Sequence, residues 1–146
     1  MNDPNGLVYY RGEYHLFFQH NPVSVKWGNM TWGHAVSPDL LHWTQLDHAL
    51  HPDDLGTIFS GSAIVDWHNT GGFKSGEEEV LVAIYTSAGT HASAPVAFTQ
   101  SIAYSNDRGR SWIKHGSNPV IDHVRSQNRD PKVVWHEPTQ KWILAL

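Results

Sequence analysis

The sequence predicts an all-β fold assembled radially, a partial β-propeller holding about two and a half blades. Three observations carry that prediction. Helical periodicity is nearly absent, and short alternating or apolar runs are bounded by Gly, Pro, Asn and Asp. The runs repeat: Ala35-Val36-Ser37-Pro38-Asp39 with Trp43 is matched by Ala103-Tyr104-Ser105-Asn106-Asp107 with Trp112. Three polar motifs, Asn2-Asp3-Pro4-Asn5-Gly6, Phe59-Ser60-Gly61-Ser62 and Arg129-Asp130-Pro131, each stand just ahead of a strand-like run.

The elements follow in order. Leu7 to Tyr10, a turn at Arg11-Gly12, and Glu13 to Gln19 read as a hairpin. Thr31 to Ser37 and Trp43 to Leu46 complete a first set of four strands. Gly61 to Val65, Val80 to Thr86, Gln100 to Ser105 and Trp112 to Lys114 form a second. Lys132 to Trp135 and Trp142 to Leu146 begin a third. The motif heads Asp3, Ser60 and Asp130 lie 57 and 70 residues apart, a period that suits four-stranded blades with longer loops. Asp66 to Glu79 and Ala88 to Phe98 read as loops. Ser105 to Trp112 resembles the Asp-box turn of sialidase-type propellers, where Asp and Gly shape the turn and Trp plugs the blade. Closure of a propeller takes at least about four blades. With both ends falling against motif or strand, the chain reads as an internal piece of a longer protein.

Composition narrows the function classes. The chain has 146 residues, 40% hydrophobic and 16% charged, which is globular. Net charge is −4 and Lys and Arg form no cluster, so nucleic acid is not an expected partner. There is no Cys, which removes disulfides and thiolate metal sites. No run is long enough to span a bilayer as a helix, and no membrane partner is expected. Eleven His residues are dispersed without metal-ligand spacing, so neither metal nor cofactor is expected. Seven Trp, five Tyr and five Phe supply strand formers and flat faces on which sugars stack.

In a propeller the residues heading the innermost strands point into the axial pocket. Asp3 and Asp130 should therefore converge although 127 residues separate them. Converging carboxylates suit glycoside hydrolysis. As isolated motifs, each Asp-Pro would read as a turn.

Together, Met1 to Gly6, Tyr14 to Gln19, Trp27-Gly28, Trp32 to Ala35, Phe59 to Ala63 and Arg129-Asp130-Pro131 resemble glycoside hydrolase family 32, the β-fructosidases, over the whole chain and in order. The resemblance implies a five-bladed propeller, of which residues 1–146 are an N-terminal part, with the remaining blades and a C-terminal β-sandwich outside this chain. It implies a fructan or sucrose substrate, and levanase or exo-inulinase action ahead of an invertase or fructosyltransferase. It also favours a secreted protein over a cytoplasmic one. Asp3 is similar to the family nucleophile, and Asp130 to the carboxylate that grips fructose hydroxyls and steadies the transition state. Arg129 is expected to orient Asp130 and hold it ionised by depressing its pKa. Asn2, Gln19 and Ser60 resemble hydroxyl-binding groups, and Trp27 and Phe59 the apolar walls. The family's Glu-Cys motif, which carries the general acid, has no counterpart in these 146 residues. Trp32 and His34 read as core; Asp53 and Asp54 fit either an outer sugar subsite or a solvated loop. A non-catalytic carbohydrate-binding propeller is the competing reading.

Overall fold

The computed structural model describes residues 1–91 and 96–146. Among the described residues ten strands make three antiparallel sheets. Strands β1 (Pro4–Tyr10), β2 (Glu13–His20), β3 (Thr31–Ser37) and β4 (Thr44–Gln45) form the first, in chain order. Strands β5 (Thr57–Asp66), β6 (Val80–Ala88), β7 (Thr99–Ser105) and β8 (Ile113–Lys114) form the second, again in chain order. Strands β9 (Lys132–His136) and β10 (Lys141–Ala145) pair as a hairpin. The predicted loop over residues 66–79 is present. The predicted loop at 88–98 opens with a single 3₁₀ turn at Gly89–His91, and residues 92–95 of it lie outside the described residues.

Local sequence explains the pairings. Arg11 (φ 52°) and Gly12 (φ 87°) are both left-handed, which makes the two-residue turn that joins β1 to β2 in the twist-compatible form. In β6 every residue is buried. Its odd residues Leu81, Ala83 and Tyr85 face the first sheet, with Phe17, Trp32 and Ile58 among their neighbours. Its even residues Val80, Val82 and Ile84 face Val133, Trp142 and Leu144 of the hairpin. A strand covered on both faces reads as a continuous apolar run rather than an alternation, as this one does. Trp32 and His34 are fully buried, in keeping with their reading as core. His34 Nε2 meets His15 Nδ1 at 3.0 Å. Burial depresses both imidazoles, His34 to about 3, so the pair is neutral.

The internal repeat is a repeat of hydrogen bonds. Leu40 N–H donates to Ser37 Oγ, His42 N–H to Asp39 Oδ1, and the Trp43 indole to Leu40 O. In the second sheet Gly109 N–H donates to Ser105 Oγ, Ser111 N–H to Asp107 Oδ1, and the Trp112 indole to Gly109 O. Both turns are spent on their own backbone, which agrees with a structural role.

The first strands of successive sheets lie against each other, β1 beside β5 and β5 beside β9. That side-by-side order is the radial arrangement the repeat predicted. Two inner strands start earlier than the sequence reading has them, and β1 already begins at Pro4 rather than Leu7. β5 begins at Thr57, so Phe59-Ser60-Gly61-Ser62 lies inside the strand rather than ahead of it. The reason is a bulge: Ile58 pairs with Ser87 but Gly61 pairs with Tyr85, so β5 carries one extra residue between them. A similar shift lies between Asn5 and Val8 of β1.

Gly61 marks the tightest approach in this region. A Cβ there would stand 2.0 Å from Ile84 O and 2.8 Å from Tyr85 Cα. Gly61→Ala is expected to destabilise the fold by about 1–3 kcal/mol or more. Gly116→Ala, where an added Cβ meets nothing within 4 Å, should be silent. Unfolding midpoints of the two full-length variants check both.

Candidate active site

Asp3, Gln19, Trp27, Phe59, Arg129 and Asp130 line one open pocket of about 390 Å³. These six residues come from five places in the chain, and they meet where the leading ends of β1, β5 and β9 come together beside the end of β2 and the β2–β3 connection. Asp3 immediately precedes β1, and Asp130 stands two residues ahead of β9.

Each is positioned by identifiable bonds. Around Asp3, Asn2 N–H donates to Gln19 O at 2.7 Å and Gln19 N–H donates to Asp3 O at 3.0 Å, extending the β1–β2 ladder to the motif. Ser60 Oγ donates to Asp3 Oδ2 at 3.3 Å. Gln19 is buried, and its Nε2 donates to Ile58 O at 3.2 Å across the sheet boundary. Asp130 is held in a left-handed backbone conformation (φ 61°), with its N–H donating to Thr86 Oγ1 at 3.0 Å. Such a conformation is costly for a residue other than glycine and recurs at functional sites. Trp27 is 59% exposed and stands edge-on to Phe59, centroids 6.1 Å apart. Phe59 is backed by Phe98 at 5.4 Å. Its own carbonyl accepts the Trp32 indole N–H at 3.0 Å.

Arg129 Nε lies 3.6 Å from Asp130 Oδ2, and Arg129 Nη1 donates to Gln127 Oε1. The expectation that Arg129 would hold the Asp130 pKa down is overturned. The Asp130 pKa is raised, first by loss of surrounding water, with Asp3 adding to the rise and Arg129 opposing it. A guanidinium at 3.6 Å without a hydrogen bond to the carboxylate gives too little attraction to offset the other two effects.

Two other predicted contacts are placed differently. Asn2 lines an adjoining pocket of about 490 Å³ with His20, Asn21, Ser24 and Lys26, and Trp27 is the partition between the two. Ser60 is buried and is not in the pocket lining; its hydroxyl is spent on Asp3. Asp53 is tied to Lys114 Nζ at 2.6 Å and to Leu55 N–H, which supports the loop reading over an outer subsite. Among the described residues no cluster of His, Asp or Glu is arranged to hold a metal ion. A further cavity of about 290 Å³ lies under the β9–β10 hairpin and is walled by Val82, Ile84, Ile102 and Leu144. Its one carboxylate, Asp66, is committed to Thr70 and Gly71. Residues that sequence reasoning missed are Phe98 and His91, which pack on the pocket's aromatic wall. No local pattern distinguishes them, because what places them is the return of the β6–β7 connection to the pocket.

The model of the glycosyl hydrolases family 32 N-terminal domain matches residues 1–146. A levanase of Bacillus subtilis is 56% identical over 147 residues, covering 100% of this chain and 21% of the relative. An extracellular exo-inulinase of Aspergillus awamori is 46% identical over 171 residues, covering 99% and 31%. Among solved structures, beta-fructofuranosidase from Schwanniomyces occidentalis complexed with fructosyl-erythritol superposes with a TM-score of 0.87 at 45% identity, covering 99% of this chain and 28% of that one. The chain therefore spans about a fifth to a third of the length of the relatives it matches.

The raised Asp130 pKa has a stability consequence. A carboxyl whose folded pKa exceeds its unfolded value opposes folding once it ionises, so this contribution is absent at low pH and grows as pH rises past the ordinary carboxylate range. Asparagine also tolerates the left-handed backbone at this position. Asp130→Asn is therefore expected to leave the melting temperature of the full-length protein unchanged or higher at pH 7. The difference should close as pH falls below 4, about the ordinary carboxylate value. Paired melts across pH check it.

Proposed function

The chain belongs to glycosyl hydrolases family 32, and from that premise we propose that the protein it is part of hydrolyses terminal β-D-fructofuranosyl linkages with retention of configuration. The single observation that carries the reading is that Asp3 and Asp130, remote in sequence, line the same sugar-sized pocket beside an exposed indole. In the proposal the chain is an N-terminal portion of a five-bladed propeller. Its two complete sheets are two blades, and the β9–β10 hairpin begins a third. The high identity to a levanase and to an extracellular exo-inulinase favours a fructan substrate and a secreted protein.

Each residue has a task in the proposed reaction. The Asp3 carboxylate attacks the anomeric carbon of the fructosyl unit. The bond to the leaving oxygen breaks as a carboxylic acid from the part of the protein outside this chain supplies the proton. A fructosyl ester on Asp3 results. Water then attacks the same carbon, gives its proton to that acid's conjugate base, and releases fructose and the Asp3 carboxylate. The Ser60 hydroxyl, on one Asp3 oxygen, orients the carboxylate so that the other can attack. Asp130 accepts hydrogen bonds from fructose hydroxyls and places negative charge near the developing cation. Arg129 limits the cost of bringing Asp130 close to Asp3. Gln19 offers its amide oxygen, since its Nε2 is used on Ile58. Trp27 and Phe59 pack against the apolar face of the ring.

Asp3→Ala in the full-length protein is expected to lower turnover by about 10⁴-fold or more without loss of fold. The first fructose released by the wild-type protein should be the β-anomer, seen by proton-coupled or time-resolved NMR. Side-by-side assays on sucrose, inulin and levan rank the substrates. Near-normal turnover by Asp3→Ala, or inversion at the anomeric carbon, would overturn the mechanism. Sugar binding by the wild-type protein without hydrolysis of any of the three would favour a binding propeller.

A further inference from the structure

We propose that His91 is a positioning residue for sugar binding: it props the exposed indole of Trp27 from the neighbouring sheet and so holds the pocket's apolar wall in place. The inference rests on the fructosidase reading for its substrate and on geometry for everything else.

Trp27 belongs to the β2–β3 connection, residues 21–30. Apart from Met30 O at its end, which accepts Ile58 N–H, the side-chain bonds that shape this loop are local: Asn21 Nδ2 donates to Lys26 O, Val23 N–H to Asn21 Oδ1, and Lys26 N–H to Ser24 Oγ. Nothing among them touches the indole, which is 59% exposed. An exposed side chain on a locally closed loop pays rotamer entropy when a ligand fixes it. The aromatic contacts of Trp27 come instead from the second sheet, from Phe59 at 6.1 Å and from His91 at 4.9 Å, both edge-on. His91 also tilts against Phe59 at 5.6 Å. The three rings close a triangle, with Trp27 and Phe59 in the pocket lining and His91 behind them.

The backbone that presents His91 is itself fixed. Val96 N–H donates to Gly89 O at 3.0 Å, closing the base of the connection. A Cβ on Gly89 would stand 2.6 Å from Val96 O, and one on Gly56 would stand 2.4 Å from Ala88 O. Glycine at both positions lets three stretches of backbone pack at the root of the turn that carries His91. The turn that carries His91 is therefore anchored at its root to the second sheet, whereas among the described residues no hydrogen bond holds the indole it meets.

A wall that meets the sugar in both ground and transition states changes KM more than kcat. In the full-length protein, His91→Ala is expected to raise KM for sucrose and for short fructans by about five-fold, with kcat within about two-fold, as befits loss of one edge-on aromatic contact. His91→Phe, which keeps the ring, should restore KM. In a Trp27→Ala background His91→Ala should add nothing further, because the prop acts through the indole. An unchanged KM in His91→Ala overturns the proposal. So does a fall in kcat without a rise in KM, a failure of His91→Phe to restore KM, or additive losses in the double variant. These results are distinct from failure of the fructosidase reading, in which the wild-type protein itself would hydrolyse none of the substrates.

Discussion

Packing of β5 against β1 on one side and β9 on the other is the constraint on which the rest depends. β5 carries no residue of the acid pair, yet it is bonded to both neighbouring sheets. Ser60 donates to Asp3, and Ser62 Oγ accepts Val133 N–H from β9 at 3.2 Å. Its backbone carbonyls at Ile58 and Phe59 accept the Gln19 amide and the Trp32 indole from the first sheet. Ile58 N–H in turn donates to Met30 O. These bonds are made in a buried setting, where an unmade one would cost about 1–3 kcal/mol. The inner strands are therefore locked in relative position by polar groups as well as by the core of Phe17, Trp32, Ile58 and Tyr85.

The bulge in β5 makes that double role possible. Side chains along a regular strand alternate between faces, so a strand packed on both sides has none to spare for its end. The extra residue between Ile58 and Gly61 breaks the alternation locally. Phe59 then reaches the pocket while Ser60 reaches Asp3, although they are adjacent. Gly61, with no space for a Cβ, restores the ladder where it closes on Ile84 and Tyr85. The same economy governs Asp130. Its left-handed backbone and its raised pKa are both unfavourable to the fold, and Thr86 and Arg129 offset only part of that cost. In the proposed reaction that cost is borne by a carboxylate placed beside Asp3 in one pocket.

Much of this was legible in the sequence because it is local. Runs such as Thr31 to Ser37 and Val80 to Thr86 declare themselves by composition, and the turn at Arg11-Gly12 by residue type. The Asp3 and Asp130 motifs stood out because they recur ahead of equivalent strands. What was not legible depends on distance in space. The start of β5 was placed four residues late because a bulge leaves no compositional mark. That Ser60 donates to Asp3 was not legible, because the two are 57 residues apart and a motif cannot show which way a hydroxyl turns. The net direction of the Asp130 pKa was missed because its largest cause, loss of surrounding water, is not visible in sequence; Arg129 does pull it down, but adjacency does not fix how a guanidinium is aimed. At 3.6 Å, with Nη1 turned to Gln127, it is a weak partner.

The two Ser-Asp-Trp turns show how the fold separates structural from chemical work. Both lie at the far ends of β3 and β7, where Ser37, Asp39 and Trp43, and Ser105, Asp107 and Trp112, consume their polar groups on neighbouring backbone. They are nearly superimposable in bonding pattern because their task, ending one strand and starting the next, is the same in both sheets. The leading ends of the inner strands face a different demand. There the side chains diverge, to Asp3 in one sheet, Ser60 in the next and Asp130 in the third: Asp3 and Asp130 line one pocket, and Ser60 donates to Asp3 behind it. Repetition in this chain therefore marks what each sheet does alone, and departure from repetition marks what the sheets do together.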